Sequence, residues 1–385
     1  MIKRIAEMEV LDLARTFPCV AIVGPRQVGK TTLAKRLSKK LRRPVLYLDL
    51  ERPKAVEMLK DAEAYLTAQE GKTVILDEIQ RIPELFPLLR SLVDEHRYAG
   101  RFIILGSASP DLIRQSSESL AGRIAYVELA PLTLPEIGKR LNLRDAWFRG
   151  GFPEIVEGKQ PFDRWMDNFV RTYLEKDLPA LGFPANRQKA ERLWSMLAHS
   201  HGGLLNASVL AKSLDLTDKT VKSYIDFFEG AFLVRQLRPF HFSLKKRMVK
   251  APKVYLRDSG VLHHLLGIEG PDDLFGIPQA GASWEGFVIE QIAALKTLQQ
   301  KLYFYRTHDG AELDLVIARG SRAKASIEIK MGTGVHTSKG NLLAAQSLKT
   351  RSNFVIIQEG EEWTMSNGFV VCPLVKFLSK HLPTI

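Results

Sequence analysis

Hydrophobic and polar positions change rhythm twice along the chain. In the first third, apolar runs of strand type recur five times, as "CVAIVG" (19–24), "PVLYLDL" (44–50), "KTVILDEI" (72–79), "RFIILGSAS" (101–109) and "RIAYVELAPL" (123–132). Helical patterns such as "TLAKRLSKKL" lie between them, and "MIKRIAEMEVLDLARTF" has the pattern of an amphipathic helix. This alternation predicts a mostly parallel sheet covered on both faces. From residue 133 the strand rhythm stops. "DRWMDNFVRTYLEKDLPAL" places Trp165, Phe169, Tyr173 and Leu174 on one helical face, a stripe expected to be core. "NASVLAKSL" and "DKTVKSYIDFFEGA" predict two helices around a "DLT" turn, with Asn206 as N-cap of the first. "FLVRQLRPFHFSLKKRMVKAPKVYLRD" predicts two strands joined by a basic turn. A helix ending "WEGFVIEQIAAL" and strands in "KLYFYRT", "AELDLVIARG" and "KASIEIKMG" follow. The pattern predicts an α/β protein in four parts, residues 1–132, 133–200, 201–268 and 269–385.

Composition narrows the class. A chain of 385 residues is too long for one ordinary domain. With 45% hydrophobic and 25% charged residues it reads as globular, not disordered. A formal net charge of +12 suits a polyanionic partner, although charge alone does not select one. Cys19 and Cys372 both sit among apolar residues and read as small buried hydrophobes, not as a disulfide or a zinc knuckle. No apolar run approaches the ~20 residues of a membrane span. The first residues have charges spread through them and no cleavage site, so a cytoplasmic protein without membrane contact is expected.

The strongest chemical signal is "GPRQVGKTT", which fits G-x-x-x-x-G-K-[ST] between a strand and a helix. In this arrangement Gly24, Pro25, Arg26, Gln27, Val28 and Gly29 form a loop whose backbone N–H groups wrap phosphate, at a helix N-terminus. Lys30 is then expected to reach the β- and γ-phosphates of ATP, with Thr31 and Thr32 opening the helix and Thr31 holding Mg²⁺. The run ending in Asp77 and Glu78 reads as a Walker B strand. Asp77 would bind Mg²⁺ through water, and Glu78 would polarise the attacking water, a pairing that favours hydrolysis. Ser107 and Ser109 end the fourth run, where a polar residue can sense the γ-phosphate. Arg123, in "SLAGR", is either a finger for a neighbouring subunit's nucleotide or a solvated arginine at a strand start.

Residues 1 to about 135 resemble an AAA+ ATPase core of the additional-strand type. That resemblance implies a sheet in which the sensor strand separates the P-loop strand from the Walker B strand, a helical lid over 133–200, and assembly into an oligomeric ring. Arg171 is a candidate second sensor in the lid. Residues 201–268 resemble a winged helix. Lys219, Thr220, Lys222 and Ser223 open its second helix, the end that reads DNA in such motifs. Lys245, Lys246, Arg247 and Lys250, with Lys253 after them, would reach phosphates from the wing. The same fold also serves as a protein-docking module.

The last part orders a helix with Glu285 and Glu290, a strand with Asp314, and a strand with Glu328 and Lys330. This order resembles the PD-(D/E)xK nuclease fold, a restriction-endonuclease-like α/β domain. Asp314 and Glu328 would share a second Mg²⁺, completed by Glu285 or Glu290, and Lys330 would position water or steady charge. The whole chain, through "LDEIQRIPEL", "LGSAS", "GGFPE", "YLEKDL", "WEGFVIEQI" and "ELDLVI…IEIK", is similar to a family of archaeal and bacterial ATPases with a C-terminal domain of unknown function. Three readings follow: an oligomeric ATPase acting on structured or branched DNA, an ATP-dependent switch that assembles with a protein partner and carries a silent nuclease-like domain, or an ATP-controlled DNA nuclease.

Overall fold

A computed structural model describes residues 2–107, 118–240, 249–332 and 334–385. The chain divides into two compact units, Met1–Leu132 with Gly230–Phe232, and Thr133–Glu229 with Leu233–Ile385. The parts read from sequence as 133–200, 201–268 and 269–385 fall together in the second unit, apart from Gly230–Phe232.

The first unit is built on five strands, β1 (Cys19–Gly24), β2 (Val45–Asp49), β3 (Thr73–Asp77), β4 (Phe102–Ser107) and β5 (Ile124–Glu128). Their order is β2-β3-β4-β1-β5, and every pair is parallel. β4 therefore separates β1 from β3, the order expected from the sequence. All six residues of β1 are buried, because helices cover both faces of a parallel sheet. Ala21, Val23, Leu76 and Ile104 pack with Phe86 and Leu89 of the helix Leu85–Glu95 on one side. The segment ahead of the sheet is tied in by charge. Glu7, in the helix Ala6–Leu13, is buried and forms ion pairs with Arg36 (3.1 Å) and Lys40.

The second unit begins with helices. Phe162–Thr172 runs without interruption into a π-helical turn, Tyr173–Asp177, and then Leu178–Ala180. Trp165, Phe169, Tyr173 and Leu174 are all buried, and the Trp165 and Phe169 rings stack at 5.1 Å, so the aromatic stripe is core. The helices Ala207–Leu214 and Asp218–Gly230 follow, the first capped by the Asn206 side chain. An antiparallel pair, β6 (Val234–Leu237) and β7 (Lys253–Leu256), comes next.

After the helix Ala280–Leu295, strands β8 (Gln300–Arg306), β9 (Glu312–Arg319) and β10 (Arg322–Ile329) run antiparallel. The helix Lys339–Leu348 then returns the chain to β11 (Ser352–Ile357), parallel to β10. β12 (Trp363–Thr364) and β13 (Val370–Pro373) complete a six-stranded sheet of order β12-β13-β11-β10-β9-β8. Leu313, Val316, Val355 and Val371 pack beneath Ala344 and Leu348. Cys19 and Cys372 are both free and buried.

Candidate functional site

The loop after β1 is held by backbone geometry. Gln27 (φ 63°) and Gly29 (φ 92°) are left-handed, and Gly29 is the residue from which the helix Lys30–Leu37 starts. At Gly24 a Cβ would lie less than 3.0 Å from the Leu129 carbonyl oxygen, so a side chain there would push the loop off its neighbouring strand. The Lys30 ammonium is buried and donates to the carbonyls of Gly24 (3.0 Å) and Pro25 (2.8 Å). Arg4 was invisible to sequence reading. It is buried under the loop and donates to the carbonyls of Val28 (2.7 Å) and Ala130 (2.6 Å), pinning loop and sheet edge together. Thr32 is exposed, and Arg26 reaches Glu51 at 3.5 Å.

Asp77 ends β3 facing this loop. Its Oδ2 accepts from the Thr31 hydroxyl (2.7 Å) and from the Tyr47 hydroxyl. Burial, then the bond to Asp77, raises the Tyr47 pKa. Asp77 Oδ1 is buried without a hydrogen-bond partner. An orphaned carboxylate oxygen on a residue that also binds a threonine hydroxyl fits a hard divalent cation such as Mg²⁺. Glu78 follows in a left-handed conformation (φ 58°, ψ 46°), uncommon for a residue with a long side chain, and it accepts from the Gln80 side chain. Ser107 ends β4 in register with Gly24. Ser109 lies outside the described residues. Arg123 is engaged within its own unit: it makes a two-pronged pair with Asp94 (2.6 and 2.8 Å) and donates to the Ala121 carbonyl. That bonding holds the Asp94 carboxyl below the usual range.

In the second unit, Glu285, Asp314, Glu328 and Lys330 do gather, and Lys253 pairs with Glu285 and Asp314. Lys253 of β7, 6% exposed, places its ammonium 3.0 Å from Glu285, 3.4 Å from Glu312 and 3.7 Å from Asp314. Tyr255 donates to the same Glu285 oxygen. Asp314 Oδ2 accepts the Ile329 N–H (2.9 Å). Glu328 accepts from Lys330 (2.6 Å) and from the Asn341 side chain (2.8 Å). Burial, then the nearby Asp314 charge, raises the pKa of both Glu285 and Glu328. Burial alone would lower that of Lys253, but the surrounding carboxylates outweigh it and raise it. An opposite unit charge at 4 Å contributes about 4 kcal/mol at an effective dielectric near 20.

Two sequence expectations are corrected here. Glu290 is not a partner of Asp314: it pairs with Arg235 (3.0 Å) and Arg257 (3.0 Å). Five residues along a helix turn a side chain through about 500°, which puts Glu290 roughly 140° away from Glu285. Lys253 is not a phosphate contact from a wing, because it is buried among acids. At the Mg²⁺ site expected from Asp314 and Glu328, both carboxylates already accept hydrogen bonds from the protein. Among the described residues, the group of three potential metal ligands whose donor atoms lie within 4.8 Å of one another is Glu362, Cys372 and His381. Its carboxylate is already paired with Lys380 (2.8 Å) and Lys376 (3.7 Å).

Of the residues assigned to DNA, Lys219, Lys222 and Ser223 are exposed on the helix Asp218–Gly230, and Lys250, ahead of β7, is exposed too. Lys245, Lys246 and Arg247 lie outside the described residues. Arg171 is exposed near the end of its helix. Among the described residues no helix is long and apolar enough to cross a membrane.

Comparison with known proteins agrees with the loop geometry. A family described as "AAA domain" matches residues 16–138, and two families described as "Domain of unknown function" match residues 140–272 and 280–377. The "Uncharacterized protein Rv2008c" of Mycobacterium tuberculosis is 41% identical over 365 residues, spanning 94% of this chain and 81% of the relative. Among solved structures, a Walker-type ATPase of Pyrococcus abyssi is 14% identical with a TM-score of 0.47, covering 69% of this chain and 96% of its own. The RuvB Holliday junction branch migration motor of Thermotoga maritima is 21% identical with a TM-score of 0.32, covering 61% and 90%. With its AAA domain at 16–138 and 41% identity along nearly its whole length, the chain belongs to the same family as the mycobacterial protein, and its first unit is a P-loop ATPase of the AAA type.

Proposed function

We propose that the protein hydrolyses ATP in its first unit and acts on DNA, structured or branched, as a ring-forming homo-oligomer. The observation that carries the hydrolytic part is the Thr31–Asp77 pair with its unpartnered Oδ1, beside a loop shaped for phosphate and next to Glu78. In this reading the loop N–H groups and Lys30 hold the phosphates, and Lys30 leaves the Gly24 and Pro25 carbonyls to do so. Thr31 and Asp77 would hold Mg²⁺, which would supply charge neutralisation on the phosphate oxygens. Glu78 orients the attacking water and accepts its proton. Ser107 stands level with the loop to sense the γ-phosphate, and Arg123, once released from Asp94, would serve a neighbouring subunit.

The DNA part rests on Lys219, Lys222 and Ser223, which are exposed on the helix Asp218–Gly230, the second of the two helices that resemble a winged helix. Lys245, Lys246, Arg247 and Lys250 would add phosphate contacts. The test is ATP turnover with and without branched DNA at low salt. Lys30→Ala abolishes turnover, and Glu78→Gln abolishes it while ATP still binds. DNA stimulates the wild type, and Lys219→Ala with Lys222→Ala lowers the salt slope of DNA binding by about 2. Full turnover in Glu78→Gln would remove that residue as the base.

A second reading, a nucleotide switch with a silent nuclease-like domain, is favoured by the ammonium of Lys253 among the acids. Slow turnover indifferent to DNA selects it.

A further inference from the structure

The acidic centre formed by the helix Ala280–Leu295, β9 and β10 has a cation of its own. We propose that Lys253 is the resident cation of this centre and that its ammonium takes the place of a divalent metal, closing the centre to Mg²⁺ and Mn²⁺. This is independent of the ATPase reading.

Three features support it. First, Lys253 is fixed where it is. Its backbone pairs with Leu237 across β6 and β7, its ammonium lies over the Phe304 ring, 5.7 Å from the ring centre, and 6% of its side chain is exposed. Second, an ammonium has three donors, and three carboxylates, Glu285, Glu312 and Asp314, stand within 3.7 Å of it. Tyr255, two residues on and on the same face of β7, adds a donor to Glu285. Third, Asp314 and Glu328 have further donors of their own. Asp314 Oδ2 takes the Ile329 N–H, and Glu328 takes Lys330 and Asn341. A hard divalent ion needs several oxygens pointing at one place. Here Glu285 Oε1, Asp314 Oδ2 and the Glu328 oxygens already meet a nitrogen or hydroxyl, and an incoming dication would meet the buried like charge of Lys253. Three cations, Lys253, Lys330 and Arg306 (the last 3.6 Å from Glu312), stand against the four carboxyl groups of Glu285, Glu312, Asp314 and Glu328.

The test is Mn²⁺ binding to the full chain, followed by the electron paramagnetic resonance signal of free Mn²⁺, with Asp77→Asn throughout to remove the nucleotide-site ion. The expected result is that adding Asp314→Asn to this chain changes nothing, because the centre holds no Mn²⁺. Adding Lys253→Gln instead creates one Mn²⁺ site, which Asp314→Asn then weakens at least tenfold. Lys253→Arg, which keeps the charge, creates none. Lys253→Gln leaves buried carboxylates unpaired and can lower the melting temperature. In that case Mn²⁺ should raise it again, since the ion replaces the missing ammonium. The proposal is overturned if Asp314→Asn or Glu328→Gln weakens Mn²⁺ binding tenfold while Lys253 is present. It is equally overturned if Lys253→Gln gains neither a Mn²⁺ site nor a Mn²⁺-dependent melting temperature.

Discussion

Glu78 combines the proposed role of base with a backbone conformation that its side chain does not favour. A left-handed non-glycine residue costs about 1–3 kcal/mol, and asparagine tolerates this conformation better than glutamate. Glu78→Asn is therefore expected to raise the melting temperature of the first unit while ATP turnover falls to background. Calorimetry and a phosphate-release assay on the same sample check both halves. Asp77 and Glu78 were legible as a pair because two acids end an apolar run beside a matching loop. Tyr47, which shares the Asp77 oxygen, was not, because it stands 30 residues away and is joined to Asp77 only by the pairing of β2 with β3. Arg4 was hidden for the same reason: its two carbonyl partners are 24 and 126 residues distant.

The helix Ala280–Leu295 shows how an element's local preference and its packing can oppose each other. Gly286 lies in its interior, where alanine would favour the helix by about 1 kcal/mol. A Cβ there would come within 3.0 Å of His201 Nε2, and 3.2 Å from Tyr255. Overpacking of this kind costs about 1–3 kcal/mol, so Gly286→Ala should destabilise the second unit despite its better propensity, as a shift in denaturant midpoint. At this scale the sequence was most informative. Period-two alternation marked β8, β9 and β10, and β1 and β3 announced themselves as apolar runs. Alternation also places Lys253 and Tyr255 on one face, but it does not say what that face meets. Lys253 in "APKVYLRD" looks like one more cation after a basic turn, and its burial becomes visible only when β7 is set against β9.

The second unit carries two buried imidazoles that couple its stability to pH. Burial lowers His201 to about 3 and His263 to about 4, from an ordinary 6.5. His263 bonds to the Phe148 carbonyl (2.8 Å) and the Ser283 hydroxyl (2.6 Å). Because both folded-state values lie below the unfolded one, the unfolded chain takes up protons first as pH falls. Their contribution is complete above about pH 6.5 and is lost progressively as pH falls towards 4 and 3. Thermal melting between pH 7 and 4 should show this fall. His263→Gln should flatten the slope in that window whatever it does to the melting temperature at pH 7. Asp258 acts with the opposite sign, since burial raises it to about 6, and it remains in both proteins, so the difference between them isolates the imidazole.

The π-helical turn at Tyr173–Asp177 has a consequence for how this chain tolerates insertion and deletion. A π turn is an α-helix carrying a surplus residue. Removing one residue between 173 and 177 would let the hydrogen bonding close as ordinary α-helix, with no break in the helix at all. The wider turn absorbs that residue, so everything after it would keep its phase. Leu178, now fully buried, would stay turned to the core that Trp165 and Phe169 begin. A single-residue gap between 173 and 177 should therefore be tolerated better than one elsewhere in the same helix, where all that follows would swing by about 100°.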